Sequence, residues 1–171
     1  MSTISTSPLL SHRNAASIAA LAAAGLLIAV FAMQYIGGLA PCSLCLTQRW
    51  PHGVALALGL IALMPITAAP ARRLLLALIA LSFAVTAGIG AYHAGVEYGW
   101  FAVPTACSGT ISGNTVEELK RQLMAQPVVR CDEVAWSLFG VSLAGYNFLA
   151  SSALALFCAT AAFRSAEKFR R

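Results

Sequence analysis

Four long stretches of this chain carry no charged residue, and the polar positions gather into short blocks between them. The stretches 15–36, 50–69, 74–96 and 138–163 each hold 20 or more residues without Asp, Glu, Lys or Arg. A helix rising about 1.5 Å per residue needs about 20 apolar residues to cross a hydrocarbon layer of about 30 Å. Each stretch therefore reads as a transmembrane helix. The pattern predicts an all-α integral membrane four-helix bundle, one domain over 1–171, with two loops at 37–49 and 97–137 on the same side. The first stretch competes with a reading as a secretory leader. It is longer than a leader's apolar core, only Arg13 precedes it as a strong positive charge, and Pro41 after Ala40 disfavours cleavage there. It is read as a retained span.

The second loop has structure of its own. Thr115 followed by Glu118 makes a capping box, in which each side chain satisfies an unpaired backbone N–H. Val116, Leu119, Leu123 and Met124 then form an apolar stripe that Pro127 ends. This predicts a short surface helix, either on the membrane surface or packed against the spans. The Gly- and Ser-rich segment 108–114 reads as a flexible hinge before it.

Composition agrees. Of 171 residues, 59% are hydrophobic and only 10% are charged, whereas a soluble domain carries about 25% charged residues. Too few polar groups exist to coat a soluble globule, so the chain needs a lipid bilayer. The net charge of +5 belongs to residues scattered between apolar runs, with no nucleic-acid motif around them; no nucleic-acid partner is expected. Their distribution sets topology instead. Arg13, Arg72, Arg73, Arg164, Lys168, Arg170 and Arg171 fall on one side. Arg49, Lys120, Arg121 and Arg130 fall on the other, offset by Glu97, Glu117, Glu118, Asp132 and Glu133. Positive charge collects inside, so both termini are expected in the cytoplasm and both loops outside it. Trp50, Tyr92, Tyr98, Trp100, Trp136 and Tyr146 fit an aromatic belt at the outer boundary.

That topology puts Cys42, Cys45, Cys107 and Cys131 together on the oxidising face. Cys42 and Cys45 form a Cys-x-x-Cys pair just before the second span, where the N-terminus of a helix favours thiolate over thiol. Arg49 follows Cys45 by four residues and would lie on its helical face, a cation beside the pair. Pro51 either kinks this helix by freeing the Thr47 carbonyl or marks a new start. Cys107 and Cys131 bracket the hinge and the surface helix, as an exposed pair suited to exchange with another protein. Two plainer readings stand beside this one: two static structural disulfides, or a zinc site of four thiolates with a poor ligand spacing. Cys158, inside the last stretch, reads as an inert core residue. His93, near the outer end of the third, is a functional candidate because ionisable groups are costly in a membrane, and His52 reads as structural.

The segments PCSLCLTQRWPH at 41–52, AYHAGVEYGWFAVPTACSG at 91–109 and CDEVAWSLFGVSLAGYN at 131–147 resemble the disulfide bond formation protein B (DsbB) family. With four spans and two cysteine-bearing loops, the resemblance covers nearly the whole chain. It implies a bacterial inner-membrane protein-disulfide:quinone oxidoreductase that reoxidises a periplasmic DsbA-like thiol oxidase. By position, Cys107 would form the mixed disulfide with that partner, Cys131 would resolve toward Cys42, and Cys45 would pass electrons to ubiquinone or menaquinone. Arg49 and His93 match quinone-proximal positions, and no metal is implied. Two rivals differ in kind. A non-catalytic scaffold would hold the same cysteines in permanent disulfides. An enzyme of the vitamin K epoxide reductase type would carry its Cys-x-x-Cys late in the bundle rather than before the second span.

Overall fold

The computed structural model describes residues 8–107, 115–118, 120 and 129–167. Four long helices dominate: α1 (His12–Tyr35), α2 (Ser43–Leu63), α3 (Ala69–Glu97) and α4 (Leu143–Glu167). Two short strands, β1 (Ser137–Leu138) and β2 (Val141–Ser142), pair antiparallel just before α4. Three of the helices are long and apolar enough to cross a membrane: α1, α3 and the Leu143–Phe163 part of α4. The fourth, α2, has 21 residues, but its first half carries Thr47, Gln48, Arg49 and His52.

Leu76, Ile79 and Phe83 fill the centre of the bundle, but many other large apolar side chains are exposed, unlike in a soluble protein. Leu21, Ile28, Leu60, Leu81, Leu149 and Leu156 face outward, whereas Ala15, Ala16, Ala19, Ala23, Thr86 and Ser151 are buried between helices. Outside water, burial of large apolar side chains drives nothing. Close approach of small residues and internal hydrogen bonds hold helices together instead. Gly59 is one such approach: a Cβ there would sit 2.9 Å from the Ala20 Cβ of α1. Gly90 is the other, with an added Cβ 3.1 Å from the Ala144 carbonyl oxygen and from Asn147 Nδ2 of α4. Gly59→Val should therefore push α1 from α2 and cost about 1–3 kcal/mol, read as a lowered unfolding midpoint in detergent. Cys158 lies in this core at 0% exposure, beside Ala161 and Ala162, as the sequence predicts.

Helix ends differ from the charge-free stretches for local reasons. α2 starts at Ser43 because Cys42 is its N-cap, and it runs unbroken through Pro51. It stops at Leu63 because Met64, the residue before Pro65, takes an extended ψ of 139°. Arg72 then closes the turn into α3, donating from Nε to the Ala62 carbonyl at 2.8 Å and from Nη2 to the Thr67 carbonyl at 2.8 Å. α3 begins with Pro70 in its first turn, where a missing N–H costs nothing, and extends to Glu97. α4 begins at Leu143 rather than at 138. Phe139 (φ 50°) and Gly140 (φ 78°) both turn left-handed, folding 137–142 into a tight hairpin. Ser142 then caps α4, its Oγ accepting from the Gly145 N–H at 3.1 Å.

In the second loop, residues 116–118 are helical and the Glu118 N–H donates to Thr115 Oγ1 at 3.3 Å, one half of the capping box. Leu119, Leu123, Met124, Pro127 and the 108–114 hinge lie outside the described residues.

Candidate redox site

The start of α2 organises the site. As the N-cap, Cys42 turns its Sγ onto the first turn, where it accepts the Cys45 N–H at 3.2 Å. Three residues on, the helix brings Cys45 Sγ to 2.7 Å from Cys42 Sγ, unbonded. From α3, His93 Nε2 lies 3.6 Å from Cys42 Sγ and 3.9 Å from Glu97 Oε1. Cys107 and Cys131 are joined in a disulfide with Cα atoms 5.6 Å apart. That disulfide rests on α2: Ser43 Oγ is 3.1 Å from Cys107 Sγ and 3.6 Å from Cys131 Sγ. Four cysteines from three segments thus meet at one end of the bundle.

The expectation of an exposed outer pair is not met. Cys107 is 4% exposed and Cys131 is 0%, packed with Cys42, Val96, Leu44 and Val129. The reason is physical: a disulfide is apolar, and the valines of α3 and the 129–131 segment offer it an apolar seat. The same bond removes two sulfurs from any four-thiolate metal site. What remains is Cys42, Cys45 and His93, whose ligand atoms lie within 4.8 Å of one another, a set that a thiophilic cation could use.

The inner pair holds one proton unevenly. The Cys45 thiol donates to Cys42, and together with the His93 ring and the Cys45 N–H this lowers the Cys42 pKa to about 4, against the opposing effect of burial. Cys45 is pushed far up because it gives its proton to that bond and is buried. Of the two sulfurs, Cys42 is the one that favours the thiolate and Cys45 the one that favours the thiol. In contrast, Arg49 is not what stabilises Cys42. Its Nη1 donates to Gln34 Oε1 of α1 at 2.6 Å, and its guanidinium lies 5.0 Å over the Phe31 ring.

Beside Cys45 opens a cavity of about 320 Å³ between α1, α2 and α4. Leu26, Ala29, Val30 and Met33 of α1 give it an apolar wall, and Cys45, Gln48, Arg49 and His52 of α2, His93 and Glu97 of α3 and Asn147 of α4 also line it. The four cysteines, Arg49 and His93 expected from the sequence all come to this end of the bundle, together with three residues that the sequence reading passed over. Glu97, counted as a loop charge, is a buried end of α3 that accepts a short hydrogen bond from Ser142 Oγ. Gln48 and Asn147 join His93 and His52 through a buried chain of side-chain hydrogen bonds. For Asn147, an amide inside the charge-free stretch 138–163 was the available signal, since polar groups are costly there unless used.

The family profile for disulfide bond formation protein DsbB matches residues 12–161. Disulfide bond formation protein B 2 of Pseudomonas savastanoi pv. phaseolicola is 33% identical over 151 residues, covering 81% of each chain. Disulfide bond formation protein B of Saccharophagus degradans is 32% identical, covering 82% of this chain and 86% of its own. That of Verminephrobacter eiseniae is 31% identical, covering 84% and 82%. No solved structure matches the chain.

Proposed function

The chain belongs to the disulfide bond formation protein DsbB family, and on that premise we propose that it oxidises protein thiols and is linked to a membrane quinone. It sits in the bacterial inner membrane with four spans, α2 included, both termini cytoplasmic and the cysteine-bearing end periplasmic. Its protein partner is a DsbA-like thiol oxidase. One observation carries the reading: the reduced pair of α2 and the disulfide of the second loop are packed together around Ser43.

Exchange between these couples balances as follows. A partner thiolate attacks Cys107 Sγ; the Cys107–Cys131 bond breaks and Cys131 leaves with the electron pair. Cys131 attacks Cys42 in an oxidised Cys42–Cys45 pair, and Cys45 leaves as thiolate. The partner's second thiolate then releases Cys107, taking the partner to its disulfide. Cys107 attacks Cys131, restoring the outer bond and expelling Cys42. The end state is an outer disulfide, a Cys42 thiolate and a reduced Cys45; the Cys107–Cys131 bond and the free Cys42 and Cys45 are compatible with it. The last leaving group is Cys42, and a low-pKa sulfur leaves faster.

The cavity suits a quinone head. Its 320 Å³ falls at the small end of the usual range of about 300–1,000 Å³ for small-molecule sites, and its α1 wall is apolar. When bound, ubiquinone or menaquinone supplies a two-electron acceptor there. Arg49 and His93, which both line the cavity with Cys45, would hold it there, with His52 beside them.

The test is quinone reduction in detergent with a reduced periplasmic thiol oxidase as donor. Turnover is expected, and its absence with both quinones would remove the reading. Arg49→Ala should raise the apparent KM for quinone by about tenfold, the loss of one charge-assisted hydrogen bond. An unchanged KM would reduce Arg49 to a packing role with Gln34 and Phe31.

A further inference from the structure

The buried chain of amides behind the thiols has only one consistent direction. Gln48 Nε2 lies 3.2 Å from the Leu44 carbonyl oxygen and 2.9 Å from His93 Nδ1. Asn147 Nδ2 lies 3.2 Å from the Thr86 carbonyl oxygen, 3.1 Å from Thr86 Oγ1 and 2.6 Å from Gln48 Oε1. A backbone carbonyl only accepts. Flipping either amide would set its oxygen against such a carbonyl at 3.2 Å, leaving two acceptors face to face. Both amide groups are therefore fixed. Thr86 Oγ1 gives its own proton to the Gln48 carbonyl at 3.1 Å, which leaves it free to accept from Asn147. On the far side, Asn147 Oδ1 accepts from Ser151 Oγ at 2.9 Å and from His52 Nε2 at 2.9 Å.

The direction propagates to the thiols. Gln48 Nε2 must donate, so His93 Nδ1 must accept, and the ring proton must sit on Nε2. That nitrogen is the one facing Cys42 Sγ at 3.6 Å and Glu97 Oε1 at 3.9 Å. We propose that Gln48 and Asn147 are positioning residues that lock His93 as its Nε2–H tautomer, so that it donates to the Cys42 thiolate. His93 then acts on Cys42 as a fixed N–H donor. A ring free to turn over would present a lone pair to the sulfur half the time and repel the charge it should hold. Gly90 is what lets α4 bring Asn147 this close to Gln48 and Thr86. In the exchange proposed above, on which the role of this lock rests, it favours departure of Cys42 in the closing step.

The titratable groups around Cys42 are Cys45 on α2 and His93 and Glu97 on α3. The 129–133 segment contributes Arg130, Asp132 and Glu133, whose charges pair with one another.

The test needs neither partner nor quinone, so it can fail while the oxidase reading stands, and the reverse. In wild-type protein with 15N-labelled histidine and a reduced inner pair, His93 Nδ1 should resonate as a bare acceptor and Nε2 as protonated. His93→Gln assigns the signals. A proton on Nδ1 in the wild type would overturn the proposal at once. In Gln48→Met and Asn147→Leu, the Nδ1–H form should appear and the Cys42 thiolate titration, followed by ultraviolet absorbance, should move up by about one pH unit. Gly59→Val, which loosens the bundle away from the site, should leave that midpoint in place. Midpoints unmoved in both amide variants, or moved equally by Gly59→Val, would contradict the lock.

Discussion

Cys45→Ala should abolish quinone reduction by the reduced thiol oxidase, with turnover falling at least about a thousand-fold, as when a reacting nucleophile is removed. The expectation follows from place rather than from reactivity. Cys45 is the thiol of the pair, held protonated by its bond to Cys42, yet it lines the cavity against the apolar α1 wall. Without it the second exchange step cannot occur, because Cys131 has no disulfide to attack. Circular dichroism should be unchanged, since Ala fills the first helical turn as well as Cys does. Cys158→Ala, deep in the core, should keep near-normal turnover. Full turnover by Cys45→Ala would mean that electrons leave by another route.

The second large effect is on protons. With the Cys42 pKa lowered to about 4 and that of Cys45 raised, the reduced pair carries one proton across the neutral range. The thiolate is present above pH about 4 and is lost as pH falls through that value. Thiolate absorbance, taken as wild type minus Cys42→Ser, should therefore hold nearly constant between pH 8 and 6. An ordinary thiol with a pKa of about 8.5 would lose about 80-fold of its thiolate over the same interval. The reduction potential of the pair should shift by about 30 mV per pH unit, one proton per two electrons, rather than about 60 mV. A steep loss of absorbance, or the larger slope, would show that Cys42 is an ordinary thiol.

Much of this site was legible in the residues. The charge-free stretches give the helices because a bilayer allows few alternatives to a helix. The Cys-x-x-Cys spacing gives the N-cap geometry because a helix start has a single set of unpaired N–H groups for a side chain to reach. What could not be read depended on contacts between distant segments. Nothing in 137–142 says that Phe139 and Gly140 will fold back, because an apolar run of this length suits helix or hairpin equally. Arg49 was placed beside Cys45 by helical periodicity, but Gln34 and Phe31 on α1 compete for its guanidinium and hold it. Gln48 and Asn147 are 99 positions apart in the chain, and only the close approach at Gly90 makes them a pair. The burial of Cys107 and Cys131 likewise depends on Val96 and Val129 meeting across the loop.

The whole account rests on sulfur exchange between α2 and the second loop. The most direct measurement uses a double variant, Cys45→Ser with Cys107→Ser, which strands one cysteine of each couple. Non-reducing mass spectrometry of the protein purified from membranes should find Cys42 bonded to Cys131. Recovery of both as free thiols under oxidising conditions would mean that the two couples never meet, and the relay would not exist.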